Sequence, residues 1–257
     1  RFDKVYLFHR SRSKAFIAML AGIPERIGLG SPGRRRFLTQ TVPLPPDPTH
    51  KTDVFLHLLQ ASGVRPDGRE PDFEVTAEEK SSLEKKLMLE GLAPKDAYAV
   101  LHAGGNWALK RWGLEYFICW TGLFLDAPGR KVVICGTASE EKLALEILTR
   151  YPGGNVVSLC GKTTLGELAA LMAGAEFLIS NDSGPIHLAA SQKTKILGLY
   201  GPTSEALTGP ISLGKTKILR KDVGCEVPCY FRSCDHRVCM ELLSAEEVFE
   251  HTRELIS

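Results

Sequence analysis

Three short stretches of the chain carry residues suited to neutralising an anionic ligand. Leu101–Trp112 (LHAGGNWALKRW) is an apolar run that ends in Gly104-Gly105, followed by Asn106 and then by Lys110 and Arg111. Paired glycines let backbone N–H groups approach a ligand closely. A lysine fixed just ahead of a helix adds positive charge, and the combination is a diphosphate cradle. The plainer alternative is a strand-to-helix turn with solvated basic residues. Ile179–Ala190 (ISNDSGPIHLAA) sets Asn181-Asp182-Ser183-Gly184 before Pro185, and His187 falls one helical turn in. Proline suits a first helical turn because its missing N–H costs little there. Such a helix end offers N–H groups to phosphate, and Asp182 can accept hydrogen bonds from sugar hydroxyls. Alternatively Asp182 or Ser183 simply caps the helix over a core histidine. Leu197–Ala206 (LGLYGPTSEA) supplies a weaker signal, the Gly201-Pro202-Thr203 turn.

The elements that must position these stretches alternate regularly from residue 97 onward. Apolar or β-branched runs at 97–102, 131–136, 155–160, 176–180 and 195–200 read as strands. Between them, 112–125, 139–150, 165–172 and 185–191 read as helices. That alternation predicts βαβ units and a parallel sheet. The strands are continuous in hydrophobicity, as expected when both sheet faces are covered. Ligands of such sheets bind at the carboxyl ends of the strands, where all three stretches lie. One doubly wound α/β domain is expected over 93–240, with a C-terminal helix over 241–257. Residues 1–92 read as the latter part of another α/β domain plus linker. It would contain strands at 5–9 and 26–29, helices at 14–20 and 53–61, a Pro-rich stretch at 42–48, and a charged linker and helix at 71–92.

Composition narrows the class. A chain of 257 residues fits two domains better than one. With 44% hydrophobic and 24% charged residues, it is neither disordered, collagenous nor coiled coil. A net charge of +2 is too small to argue for a nucleic-acid partner. No apolar run approaches the roughly 20 residues of a spanning helix, and no secretory leader precedes the first strand, so a soluble protein is expected. Charge is uneven: residues 1–70 hold twelve Lys/Arg and six Asp/Glu. Arg10, Arg12, Lys14 and Arg34–Arg36 fit an anionic acceptor. The triple-arginine run also reads as a solvated loop, or as a patch drawn to an anionic membrane surface.

Seven cysteines in so long a chain do not make a secreted disulfide scaffold, so a reducing, cytoplasmic home is expected. Cys119, Cys135 and Cys160 sit in apolar stretches and read as buried thiols. Cys225, Cys229, Cys234 and Cys239 cluster as C-x3-C-x4-C-x4-C around His236. The first pair fits zinc-ligand spacing and the second is loose; free thiols or redox-dependent bridges are the other reading. Two familiar motifs fail. Lys162 follows Gly161 as in a phosphate-binding loop, but the glycine required at 156 is Val156, and no strand runs into G-x-G-x-x-G.

Taken in order, His102–Trp112, Lys131–Thr137, Gly161–Ala190 and Leu197–Thr203 resemble glycosyltransferase family 9, the ADP-heptose:lipopolysaccharide heptosyltransferases, over most of residues 93–257. Cys225–Met240 resembles the tail of many members. The resemblance implies a GT-B architecture of two Rossmann-like parallel-sheet domains, the first binding mainly the acceptor and the second the nucleotide-sugar. It implies inverting transfer of heptose, or a related sugar, from an ADP-sugar to the lipopolysaccharide inner core, with no obligatory metal or cofactor. Lys110 would meet donor phosphate. Asp182, Ser183 and Gly184 match the acidic–hydroxyl–Gly motif that meets donor sugar and diphosphate, with His187 at the expected spacing. Thr163 and Thr164 would border the adenine, and Glu140 or Glu141 would serve the ribose. Gly104, Gly105 and Asn106 replace hydroxyl-bearing residues of some members, while Arg10, Arg12 and Lys14 would face the acceptor.

Members carry their presumed general base on a Gly-Asp turn after the first strand, and inverting transfer needs such a base. No Gly-Asp turn follows a strand in residues 1–92. The first domain is therefore expected to lack its N-terminal part, with the base upstream of Arg1. Expected partners are the donor and the lipopolysaccharide core, with peripheral contact at the inner face of the inner membrane and no nucleic acid. Two other readings stand beside transfer: a nucleotide-sugar-binding relative without transferase activity, and an epimerase of UDP-sugars on the same architecture.

Overall fold

The computed structural model describes residues 2–231 and 233–257. It divides into two units, one running to Arg69 with Ala206–Thr208 added, the other comprising Glu70–Glu205 and Gly209–Ser257.

In the first unit, β1 (Lys4–Leu7), β2 (Glu25–Leu29) and β3 (Gln40–Val42) form a parallel sheet in that order. Helix α1 (Arg12–Leu20) starts two residues earlier than expected because the Ser11 hydroxyl accepts from the Lys14 amide. Helix α2 (Lys51–Ala61) lays Leu58 against Ile27, Leu29 and Val42 to make a small core. At the carboxyl edge of this sheet the Arg34 guanidinium is fully buried. It donates to Leu29 O at 2.8 Å and to Leu7 O at 3.0 Å. Gly28 makes the space, since a Cβ there would come within 2.9 Å of Nη2. Burial first, then the nearby Arg10, pull the Arg34 pKa down. The solvated-loop reading therefore holds only for the exposed Arg35 and Arg36. Arg34 ties two strand ends together.

In the second unit, α3 (Ala77–Leu89) precedes six parallel strands: β4 (Ala99–His102), β5 (Val132–Ile134), β6 (Val156–Ser158), β7 (Phe177–Asn181), β8 (Lys195–Leu199) and β9 (Thr216–Leu219). Their spatial order is β6-β5-β4-β7-β8-β9, so the chain reverses direction of winding between β4 and β7. Helices α4 (Leu114–Leu125), α5 (Glu141–Arg150), α6 (Leu165–Gly174) and α7 (Gly184–Ser191) make the crossovers. Successive strand residues point to opposite faces. Accordingly Leu101, Ile134 and Ile179 join Trp112, Trp120 and Phe124 on one side, while Val100, Val133 and Leu178 join Leu83, Leu171 and Ile186 on the other. Each such large apolar side chain contributes roughly 1.5–3 kcal/mol of burial free energy.

The units part at residue 69, earlier than the expected boundary at 92, because α3 packs on α6. Leu83 and Leu87 enter the second unit's core, and Lys86 Nζ and Ser82 Oγ meet the buried Glu167 carboxylate at 2.7 and 2.6 Å. The C-terminal helix, Ala245–Ile256, also belongs here: Thr252 accepts from the Trp120 indole at 2.9 Å. Cys119 corrects the expectation of a buried thiol. Helix α4 turns Phe117, Ile118, Trp120 and Phe124 inward, which leaves position 119 exposed. β3 and β9 were not readable as strands, being short and set among turn residues.

Candidate functional site

The loop after β4 and the loop after β7 emerge side by side at the point where the strand order reverses, the place where open α/β sheets bind ligands. Asn181, the last residue of β7, is fully buried and joins the two. Its Oδ1 accepts from Trp112 N at 2.9 Å, and its Nδ2 donates to Ala103 O at 3.0 Å and Gly104 O at 2.9 Å. One side chain thus clamps both ends of the glycine loop. Arg111 donates from Nε to Gly105 O at 2.7 Å, and Arg237 donates to Arg111 O at 2.7 Å.

Glycine is required in this loop. A Cβ on Gly104 would lie 1.6 Å from Glu140 Oε1, and Gly105 has a φ of +145°. The Glu140 carboxylate accepts from Gly105 N at 2.8 Å, Thr137 N at 2.7 Å and Thr137 Oγ1 at 2.9 Å. His102, whose Nε2 is 3.6 Å from Glu140 Oε1, is the first cause holding this carboxyl well below the usual range, with the Thr137 donors adding to it. His102 Nδ1 lies 3.0 Å from Ser183 Oγ.

Lys110 ends a 3-10 turn (Ala108–Lys110), and its ammonium sits 2.7 Å from Asp182 Oδ2. Asp182 is buried and Lys110 half-buried, so the pair lies at the rim of the loops. Ser183 follows as the N-cap residue of α7, but its side chain makes no capping bond, and Pro185 occupies the first turn. The cap reading for Ser183 is therefore corrected. Tyr200 directs its phenol toward Asp182; burial first and that carboxylate second push its pKa far up. Thr203 Oγ1 is buried with no hydrogen-bond partner among the described residues.

Gly104, Gly105, Lys110, Asp182, Ser183 and Gly184 thus lie on two adjoining loops. Asn106 is exposed beside them, and His187 is exposed on α7, not a core histidine. Thr163 and Thr164 stand elsewhere, on the loop after β6. The Thr164 hydroxyl is engaged as the N-cap of α6, accepting from Glu167 N at 3.2 Å. Of the two ribose candidates, Glu140 is turned inward. Glu141 is exposed and lines a cavity of about 640 Å³ with Ala138, Ser139 and Lys162. Arg10, Arg12 and Lys14 belong to the first unit, exposed at the start of α1. The structural parts played by His102, Asn181 and Arg237 were not legible in sequence, since each depends on which strands and loops become neighbours.

The cysteine segment lies against the same loops. Cys229 N donates to Pro202 O at 2.7 Å. A cavity of about 450 Å³ is lined by Leu109, Pro202 and all four clustered cysteines. Those thiols are unbridged, and among the described residues no group of three His, Cys, Asp or Glu side chains is placed to hold a metal.

Residues 1–235 match the family model described as glycosyltransferase family 9 (heptosyltransferase). The chain belongs to this family. Among its family 9 relatives, lipooligosaccharide heptosyltransferase 2 of Campylobacter jejuni is 33% identical over 151 residues, covering 57% of this chain and 47% of the relative. Lipopolysaccharide heptosyltransferase 2 of Escherichia coli K12 is 26% identical over 235 residues, covering 87% of this chain and 66% of the relative. The chain thus spans about half to two thirds of these curated relatives. The solved E. coli ADP-heptose LPS heptosyltransferase II superposes with a TM-score of 0.80 at 24% identity, covering all of this chain and 77% of that one. A family 9 structure from Veillonella parvula gives 0.81 at 23% identity, covering 99% and 73%. Both likenesses show the GT-B fold class of this family 9 chain. No helix among the described residues is long and apolar enough to cross a membrane.

Proposed function

We propose that this family 9 chain binds an ADP-sugar on its second unit and serves inverting transfer of heptose, or a related sugar, to a lipopolysaccharide inner-core acceptor at the cytoplasmic side of the inner membrane. The contact of Lys110 with Asp182 across the reversal of strand order carries the reading, because it sets a cation, a carboxylate and a helix end on one pair of loops. The names of the curated relatives supply the heptose and the lipopolysaccharide acceptor class, and that of the solved E. coli ADP-heptose enzyme supplies the nucleotide.

In this reading Lys110 leaves Asp182 for the donor diphosphate, and the α7 end adds its amides and the positive pole of the helix. Asp182, released, accepts from hydroxyls of the donor sugar, with His187 further along the same helix. The acceptor oxygen bonds to the anomeric carbon as the carbon–oxygen bond to the diphosphate breaks. ADP departs with the electron pair, and Lys110 and the helix end neutralise its new charge. The acceptor proton passes to a general base; no described residue is assigned that role. Positive charge from the protein serves where a metal would, so no metal is assigned. Arg10, Arg12 and Lys14 fit phosphates and carboxylates on the acceptor.

A thermal-shift panel of ADP-, UDP- and GDP-sugars tests the donor, since a ligand that binds the native state raises the midpoint. The ADP-sugar is expected to give the largest rise. A preference for the UDP- or GDP-sugar overturns the donor assignment.

A further inference from the structure

A tyrosine buried inside a protein normally gives its hydroxyl a hydrogen-bond partner. Tyr200, just past the end of β8, is fully buried, and its hydroxyl has no partner among the described residues. The ring packs with Leu178, Ile186 and Ile196 in the second unit's core. Phenylalanine would fill that space without stranding a buried O–H.

The strand register shows what the phenol faces. β7 and β8 pair as far as Asn181 opposite Leu199, and Asp182 and Tyr200 come next on the two chains. The phenol is directed at the Asp182 carboxylate without bonding to it. Burial first and Asp182 second push its pKa far up, so the phenol keeps its proton. Glu205 also faces it but influences it less, and has a cation of its own, Arg220, at 3.2 Å.

With Lys110 at 2.7 Å, Asp182 has its donor. A diphosphate that draws Lys110 away leaves a buried carboxylate without its cation, which is strongly unfavourable unless another donor replaces it. The phenol is the group in place to do so. A carboxylate has about four acceptor positions, so a donor from Tyr200 leaves others for hydroxyls of the ligand.

We propose that Tyr200 is a positioning residue whose hydroxyl takes over the Asp182 carboxylate when Lys110 turns to the diphosphate, which lowers the penalty for releasing the lysine. The proposal rests on reading Lys110 as the diphosphate ligand.

Calorimetric titration of ADP into the full chain tests this. Tyr200→Phe keeps the ring and removes only the O–H, so its Tm is expected to be unchanged or raised. Its affinity for ADP is expected to fall about tenfold or more, the effect of one hydrogen bond to a charged group. Asp182→Asn has no charge to re-house. It is expected to bind ADP, and adding Tyr200→Phe to it to lose no more than about twofold, the usual error of additivity between unconnected changes. That dependence on Asp182 separates a positioning role from a structural one. A Tyr200→Phe chain that binds ADP as tightly as wild type, loses as much in the Asp182→Asn background, or falls in Tm overturns the proposal. So does an Asp182→Asn chain that no longer binds ADP, or a Glu205→Gln chain that loses as much as Tyr200→Phe. A wild-type chain that ignores ADP, or a Lys110→Ala variant that binds it unchanged, defeats the reading of Lys110 itself; with both as expected, the other results bear on Tyr200 alone.

Discussion

The Lys110 ammonium and the Asp182 carboxylate meet at 2.7 Å although 72 positions separate them in sequence. They meet because β4 and β7 are neighbours across the reversal of strand order, with His102 opposite Ser180 in the register. Lys110→Ala removes a charge-assisted hydrogen bond to the diphosphate, an interaction of about 1.5–3 kcal/mol. ADP affinity is expected to fall between roughly tenfold and a hundredfold. Lys110→Arg is expected to restore part of it, which equilibrium binding with a fluorescent ADP analogue measures.

Asn181→Ala strips partners from Trp112 N, Ala103 O and Gly104 O together. Buried groups left unpaired cost about 1–3 kcal/mol each, so unfolding in urea should show a loss on the order of 3 kcal/mol. A loss under about 0.5 kcal/mol, the size usual for surface changes, shows that the clamp is not holding the loop.

Acid stability has a defined source in the contact of α3 with α6. Lys86 first and Ser82 second hold the Glu167 carboxyl down to about 2. A carboxylate whose pKa is depressed by folding contributes stability that is present above its unfolded value, near 4.5, and is lost as pH falls toward 2. Glu167→Gln should flatten the dependence of stability on pH between about 5 and 2. An unchanged acid limb in denaturation curves excludes Glu167 as the cause.

Arg34 is the corresponding tie in the first unit. Arg34→Lys cannot span Leu7 O and Leu29 O with one planar fork. Faster amide exchange is expected at the carboxyl ends of β1 and β2, while the second unit is unaffected. Equal exchange in the two proteins removes Arg34 from that role.

Much of the second unit was readable because its strands are long enough in apolar character, and its helices periodic enough, to separate by pattern. The loops were readable because paired glycines, a lysine before a helix, and the Asp-Ser-Gly-Pro run are unusual at strand ends. What escaped had one cause: it depends on tertiary neighbours. Asn181 was one polar residue among four until β4 lay beside β7. Glu140 was a ribose candidate until Gly104 left it room to turn inward. Ser183 reads as a cap until the structure shows its hydroxyl against His102 Nδ1 and Asn181 O, with Pro185 offering it no amide. Arg34 stood in a basic run that looks solvated, and only the facing carbonyls of two strands show why it is buried.

Hydrogen–deuterium exchange with and without ADP addresses the central claim most directly, because it reports where the nucleotide settles without any assay of transfer. ADP should slow exchange in peptides covering 103–112 and 181–187 together, the two loops joined by Asn181. Slowed exchange confined to other segments, with these two unchanged, contradicts a pyrophosphate pocket built from those loops.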